Sequence, residues 1–99
     1  MKTMVIAEFP AMGGKLEELE ALLKAALPDT RAFAGCISIE TYLHLETETF
    51  TLIEFWDTPE HYQRYLDWRM ETGLGDVLDS LLDGGMTAFK PRTFVATGI

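Results

Sequence analysis

Residues 3–9 alternate Met4 and Ile6 on one face with Val5 and Ala7 on the other, and both faces are apolar. That pattern predicts a strand covered on two sides. Pro10 ends the run and Gly13-Gly14 supply a turn. The period then changes. Leu16, Leu19, Leu22, Leu23, Ala26 and Leu27 recur at helical spacing while Glu17, Glu18, Glu20 and Lys24 take the wet side, which predicts a helix over residues 15–27. Pro28-Asp29 is expected to close it, with residues 31–35 as a loop. A long strand follows over residues 36–45. Ile37, Ile39, Thr41, Leu43 and Leu45 lie on one face, and Cys36, Ser38, Glu40, Tyr42 and His44 on the other. Glu46-Thr47-Glu48 is a polar turn leading to a returning strand over residues 50–56. This second strand of the hairpin is read mainly as sheet and interface. The turn lacks Asn-Gly or Asp-Gly, so the register, and with it the face of Glu54 and Trp56, stays open.

Thr58-Pro59 is a helix start with a mechanism: Thr58 caps, and Pro59 occupies the first helical position, where a missing N–H is harmless. The helix is predicted to end near Glu71 or Thr72, with Gly73 as its stop. Leu74, Val77, Leu78, Leu81 and Leu82 mark a further short helix before Gly84-Gly85. Residues 86–97 read as a last strand, interrupted near Pro91 and therefore at an edge or bulged. The order β-α-β-β-α-(α)-β is the split βαβ pattern of an α+β, ferredoxin-like fold, a four-stranded antiparallel sheet with helices on one face. Strands apolar on both sides would leave the other face greasy, which predicts a homodimer packed sheet to sheet about a two-fold axis.

Composition narrows the function more than the fold. The 99 residues make one domain, residues 1–99, able to bury one modest core. Apolar residues at 47% and charged residues at 24% are those of an ordinary globular chain. A formal net charge of -8 argues against a nucleic-acid partner, since phosphate affinity needs clustered Lys and Arg. No run of residues fits a signal peptide or membrane span, so a cytoplasmic location and no membrane partner are expected. Cys36 is alone and reads as a small buried hydrophobe. Two separated histidines give no metal cluster, and neither Gly pair sits in a phosphate-binding motif, so no cofactor or metal is expected.

The candidate chemistry lies on the second helix. At about 100° per residue, His61, Tyr62, Tyr65, Leu66 and Arg69 gather on one arc, with Trp68 at its edge. Aromatic walls with a few convergent polar groups are what small-molecule pockets are made of, and a small aromatic ligand is the expected partner. The same residues also have plainer uses. Tyr62 and Tyr65 suit a core with the hydroxyl at its rim, and His61 suits a cap. Arg69 on an apolar arc calls for a carboxylate, with Glu54 or Glu40 as candidates. His44 shares a face with Glu40, but i, i+4 on a strand spans about 13 Å, so that pair cannot form a base without a third group.

Gly35-Cys36 leading into a long strand, Leu52-Ile53-Glu54-Phe55-Trp56, Thr58-Pro59-Glu60-His61-Tyr62 and Tyr65-Leu66-Asp67-Trp68-Arg69 together resemble the antibiotic biosynthesis monooxygenase family over nearly the whole chain. The resemblance implies a dimeric α+β barrel with a pocket in each protomer between the sheet and the second helix. It implies either cofactor-independent oxygenation of anthrone- or quinol-like substrates or heme degradation. Trp68 matches the second-helix tryptophan of that pattern. The heme-degrading members carry a first-strand Asn, where this chain has Glu8 and Phe9, and a His about three turns after the tryptophan, where it has none. Oxygenation without a cofactor is the expectation. Trp68, Arg69 and His61 are the catalytic candidates, and Tyr65, Tyr62, His44 and Glu54 the substrate-binding ones, with His61 or His44 as a base. A non-catalytic module binding a small hydrophobic ligand or serving assembly is the alternative; an isomerase or decarboxylase ranks third.

Overall fold

A computed structural model describes residues 2–99. It contains β1 (Thr3–Pro10), α1 (Leu16–Ala32), β2 (Cys36–His44), β3 (Thr49–Trp56), α2 (Pro59–Glu71), α3 (Leu74–Asp79), a single 3-10 turn at Gly85–Ala88, and β4 (Arg92–Val95). The strands form one open four-stranded sheet in the order β2-β3-β1-β4, all antiparallel. This is the predicted α+β, ferredoxin-like order.

Period-two alternation decides which side chains face the helices. On β1 these are Thr3, Val5, Ala7 and Phe9, and on β3 Phe50, Leu52, Glu54 and Trp56, all buried. Leu19, Leu23 and Leu27 of α1 and Leu78, Leu81 and Leu82 pack over the Phe9, Phe50 and Leu52 end. Tyr62 and Tyr65 of α2 pack over Val5 and Trp56 at the other. The register left open by the turn is thereby set, with Glu54 opposite both Val5 and Ile39, on the helix side. Trp56 does not serve the open sheet face. It is fully buried beneath α2.

Three local expectations are corrected. A bulge places Cys36 opposite Trp56 and Ser38 opposite Phe55, leaving Ile37 without a partner between them. Cys36 therefore joins the helix side, next to both core clusters, while Ile37 is half exposed. An extra residue inverts the alternation on one side of itself, which the sequence pattern alone does not announce. Second, α1 does not stop at Leu27 but continues through Pro28 to Ala32. A proline inside a helix costs about 3 kcal/mol, so tertiary contacts must hold this last turn. They centre on Thr30, which is buried. Third, residues 86–91 are not strand; only Arg92–Val95 pair with β1, at the sheet edge.

The start of α2 is as predicted. The Thr58 hydroxyl accepts the His61 backbone N–H at 3.1 Å, and Pro59 opens the helix. Thr72 and then Gly73, at φ +87°, end it. The β2 entry is fixed from the same side. Gly35 has φ +91°, and any β-carbon there would strike the His61 imidazole. Only glycine suits both the conformation and the close approach.

Candidate functional site

The end of the core under α2 is aromatic. Trp56 lies 5.1 Å from Tyr65 and 5.5 Å from Tyr62, ring centre to ring centre, and Phe33 lies 5.4 Å from Tyr65 and 5.3 Å from Trp68. Beside this cluster the sheet, α1, α2 and α3 enclose a cavity of about 60 Å³. Phe9, Leu52 and Glu54 form its floor, Leu23, Leu27 and Thr30 one wall, and Tyr62, Tyr65 and Arg69 the wall opposite. Leu66, Met70, Leu74 and Met86 line its solvent side, Met70 largely exposed.

Arg69 comes from the last turn of α2 and reaches across to the end of α1. Its Nε donates to the Tyr65 hydroxyl at 3.0 Å, and its Nη2 donates to the Ala26 carbonyl at 2.7 Å and to the Thr30 hydroxyl at 2.8 Å. The Thr30 and Tyr65 hydroxyls are themselves 2.7 Å apart. The guanidinium also lies over the Trp68 ring, 4.5 Å from its centre. The expected carboxylate partner is absent. Among the described residues the ion pairs are Lys15–Glu18 and Arg92–Glu8. The charge is instead met by the Ala26 carbonyl, in the α1 turn just before Pro28, by two hydroxyls and by an aromatic face. This arrangement also explains why α1 runs past Pro28: the turn that lacks a backbone donor is held by Thr30 and Arg69.

Glu54 stands on the cavity floor with 4% of its surface exposed. One carboxyl oxygen, Oε1, accepts the Trp56 indole N–H at 2.9 Å. Its same-side neighbours across the sheet are Val5 and Ile39. With no cation beside it, burial pushes the carboxyl up from 4.5 to about 7, against the opposing pull of the Trp56 N–H. Burial raises the Tyr62 hydroxyl as well, and the Glu54 charge adds to it. The Cys36 thiol is raised by burial first and by Glu54 second, with Arg31 opposing. A thiol held protonated in this way is a poor nucleophile, in keeping with a packing role.

Of the sequence candidates, Tyr62, Tyr65, Glu54 and Arg69 meet at the cavity. Trp68 stands one layer behind, against Phe33, Tyr65 and the Arg69 guanidinium, and does not line it. His61 sits outside, its Nδ1 within 2.7 Å of the Thr58 hydroxyl in the helix cap. His44 lies at the far end of β2, where its Nδ1 takes the Thr47 backbone N–H at 3.2 Å within the hairpin turn. Neither imidazole faces the cavity. Glu40 is on the open sheet face, where its carboxylate accepts the Tyr42 hydroxyl.

The sequence reading missed Thr30, Phe33 and the inward turn of Trp56. Thr30 had a signal, since Leu19, Leu23, Leu27 and Thr30 continue one helical stripe straight through Pro28. Among the described residues no group of His, Cys, Asp and Glu could hold a metal ion, and no helix is long and apolar enough to cross a membrane.

Comparison with known proteins places the fold. The sequence profile of the antibiotic biosynthesis monooxygenase family matches residues 3–68. No curated protein matches the sequence. Among solved structures, a Shewanella oneidensis protein superposes with a TM-score of 0.79 at 25% identity, over 94% of this chain and 88% of that one. A conserved Methanosarcina mazei protein gives 0.83 at 20% identity, over 98% and 94%. SnoaB, a cofactor-independent oxygenase from Streptomyces nogalater, gives 0.79 at 13% identity, over 97% and 93%, a likeness of fold alone. With the profile covering β1 through most of α2 and the same fold throughout, the chain belongs to the antibiotic biosynthesis monooxygenase family.

Proposed function

We propose that this protein is a cofactor-independent monooxygenase that oxidises a small aromatic, anthrone- or quinol-like molecule with O₂. One observation carries the reading. The cavity is walled by apolar and aromatic side chains, and the Arg69 guanidinium lines it without an ion-pair contact to a carboxylate among the described residues. An electron-rich aromatic that loses a proton becomes an anion able to pass an electron to O₂. The protein then has to hold the ring, stabilise the anion and keep water out. Tyr62 and Tyr65 supply the walls for the ring and Arg69 the charge for the anion, while Trp68 buttresses Arg69 from behind.

At about 60 Å³ the cavity is well below the roughly 150 Å³ of a cavity that takes up a benzene ring. A two- or three-ring substrate enters only if Leu66, Met70, Leu74 and Met86 swing outward. Methionines are suited to such movement. The small volume is also what favours the second reading, a non-catalytic module that binds a smaller hydrophobic ligand. Oxygen uptake by the purified protein with a panel of hydroquinones and anthrones, without flavin or metal, separates the two. Rates above the uncatalysed ones are expected. A panel in which every rate equals the background sinks the oxygenase reading.

The open sheet face supports a homodimer. Met4, Ile6, Ile53, Phe55 and Phe94 lie on the side away from the helices, with Lys2 over the Phe55 ring and the Arg92–Glu8 pair at its margin. A face of this kind, half exposed in one chain, suits the same face of a second copy. Light scattering at micromolar concentration is expected to give twice the chain mass; a clean monomer would contradict it.

A further inference from the structure

We infer that Glu54 is the general base of the site, taking the proton from an aromatic C–H or O–H acid held against Arg69. This assignment deepens the oxygenase reading and rests on it for the later steps. Proton abstraction itself can be tested without oxygen.

The placement carries the argument. Glu54 is the carboxyl on the cavity floor, and the cavity's other charged side chain, Arg69, is in the wall with different partners. The groups around the carboxyl are few. Beyond its Trp56 bond, α2 contributes the Tyr62 and Tyr65 hydroxyls and Arg69, β2 the Cys36 thiol, and α1 Thr30; the β1 and α3 residues that line the cavity are apolar, and Thr3 is a buried hydroxyl further along the same face of β1. None of these forms an ion pair with it. A carboxylate buried without a cation is expensive, and a neutral side chain could accept the Trp56 N–H equally well. The acid is therefore in excess of what packing requires. Its ionisation near pH 7 is where a base working at neutral pH is most effective. Neither histidine competes for the role, because both are committed to turns outside the cavity.

The reaction closes with O₂ as the sole oxidant. Glu54 takes one proton from the substrate's methylene carbon; the C–H bond breaks and its electron pair enters the ring system as an enolate beside Arg69. The cavity keeps its total charge, since one anion replaces another and the new one lies nearer the cation. One electron passes to O₂, and the radical pair joins through a new C–O bond. The peroxide takes its proton back from Glu54. The carboxylate then removes the second proton from the same carbon, the carbonyl forms, the O–O bond breaks, and the departing hydroxide collects that proton as water. The methylene is oxidised by four electrons and O₂ is reduced by four.

The test uses the intact protein and anthrone as probe. Without oxygen in D₂O, NMR follows deuterium entering the methylene; with oxygen, an electrode follows uptake. Glu54→Gln preserves an acceptor for Trp56, so its fold should survive, and it is expected to slow both processes about 100-fold near pH 7.5. Glu54→Asp, with the same charge on a shorter arm, should recover part of the exchange rate. The rise of kcat/KM with pH near 7 should vanish in Glu54→Gln. If Glu54→Gln keeps the wild-type rates and pH profile, Glu54 is not the base and the oxygenase reading stands. If wild-type protein exchanges deuterium, Glu54→Gln does not, and oxygen uptake stays at background, Glu54 stands and the oxygenase reading falls. Exchange and uptake both at background in the wild type overturn the two together.

Discussion

Between about pH 5 and about pH 8 the native state is expected to lose on the order of 2–3 kcal/mol of stability through Glu54, and Glu54→Gln is expected to remove that loss. The sign follows from which state holds the proton. Burial raises the native carboxyl from 4.5 to about 7. Between those values the native protein keeps a proton that the unfolded chain has released. The stabilising contribution is thus complete below the unfolded value and fades as the pH rises through about 7. Urea unfolding of both proteins at matched pH isolates the effect, because distant titrating groups cancel in the difference and the two coupled to Glu54, Tyr62 and Cys36, are raised above this pH range. The amide variant should match the wild type near pH 5 and exceed it near pH 8. A difference that does not change with pH would mean that the carboxyl is not desolvated as described. The expected result makes the side chain a case of function held at the expense of stability, the variant being sturdier above neutrality and catalytically poorer.

Arg69→Ala is expected to lower kcat for oxygen consumption by about 10²–10³, the range seen when one donor to a developing anion is removed. Stability should change much less, by roughly 1–2 kcal/mol. The Thr30 and Tyr65 hydroxyls still meet at 2.7 Å, and the Thr30 hydroxyl still reaches the Ala26 carbonyl at 3.3 Å, so the groups left behind keep partners. Arg69→Lys restores the charge but not the planar fork that spans Tyr65, Thr30 and Ala26, and should recover only part of the rate. A folded Arg69→Ala protein with kcat within a few-fold of wild type would remove Arg69 from the chemistry.

The α2 side of this site was readable because each of its determinants is local. Thr58-Pro59 marks the helix start, and 3.6-residue spacing then puts Tyr62, Tyr65 and Arg69 on one arc whatever the rest of the chain does. The other half depends on events far apart in sequence. Ile37 inserts as a bulge and turns Cys36 inward, which no alternation count reveals. The inward face of Glu54 and Trp56 follows from pairing with β1 as well as β2, so the hairpin turn alone could not decide it. Arg69 called for an acid on electrostatic grounds, yet its partners are a carbonyl and hydroxyls thirty-nine or more residues away on α1, or one turn back on α2. Pro28 ordinarily ends a helix, and those same contacts carry α1 past it. The His61 expectation rested on its place on the same arc and the His44 one on its strand face, yet both rings are used by their nearest turns.

The proline inside α1 has one more effect. Because residue 28 has no N–H, the backbone ladder is interrupted just before the turn that holds Thr30, and that turn is fastened sideways to α2. In a hydrogen-exchange experiment its amides should open together with the end of α2 and not with the leucine-lined body of α1. The two ends form a single latch. A ligand oxygen that draws Arg69 off Ala26 and Thr30 would loosen the close of α1 and, through Phe33, the approach to Gly35 and β2.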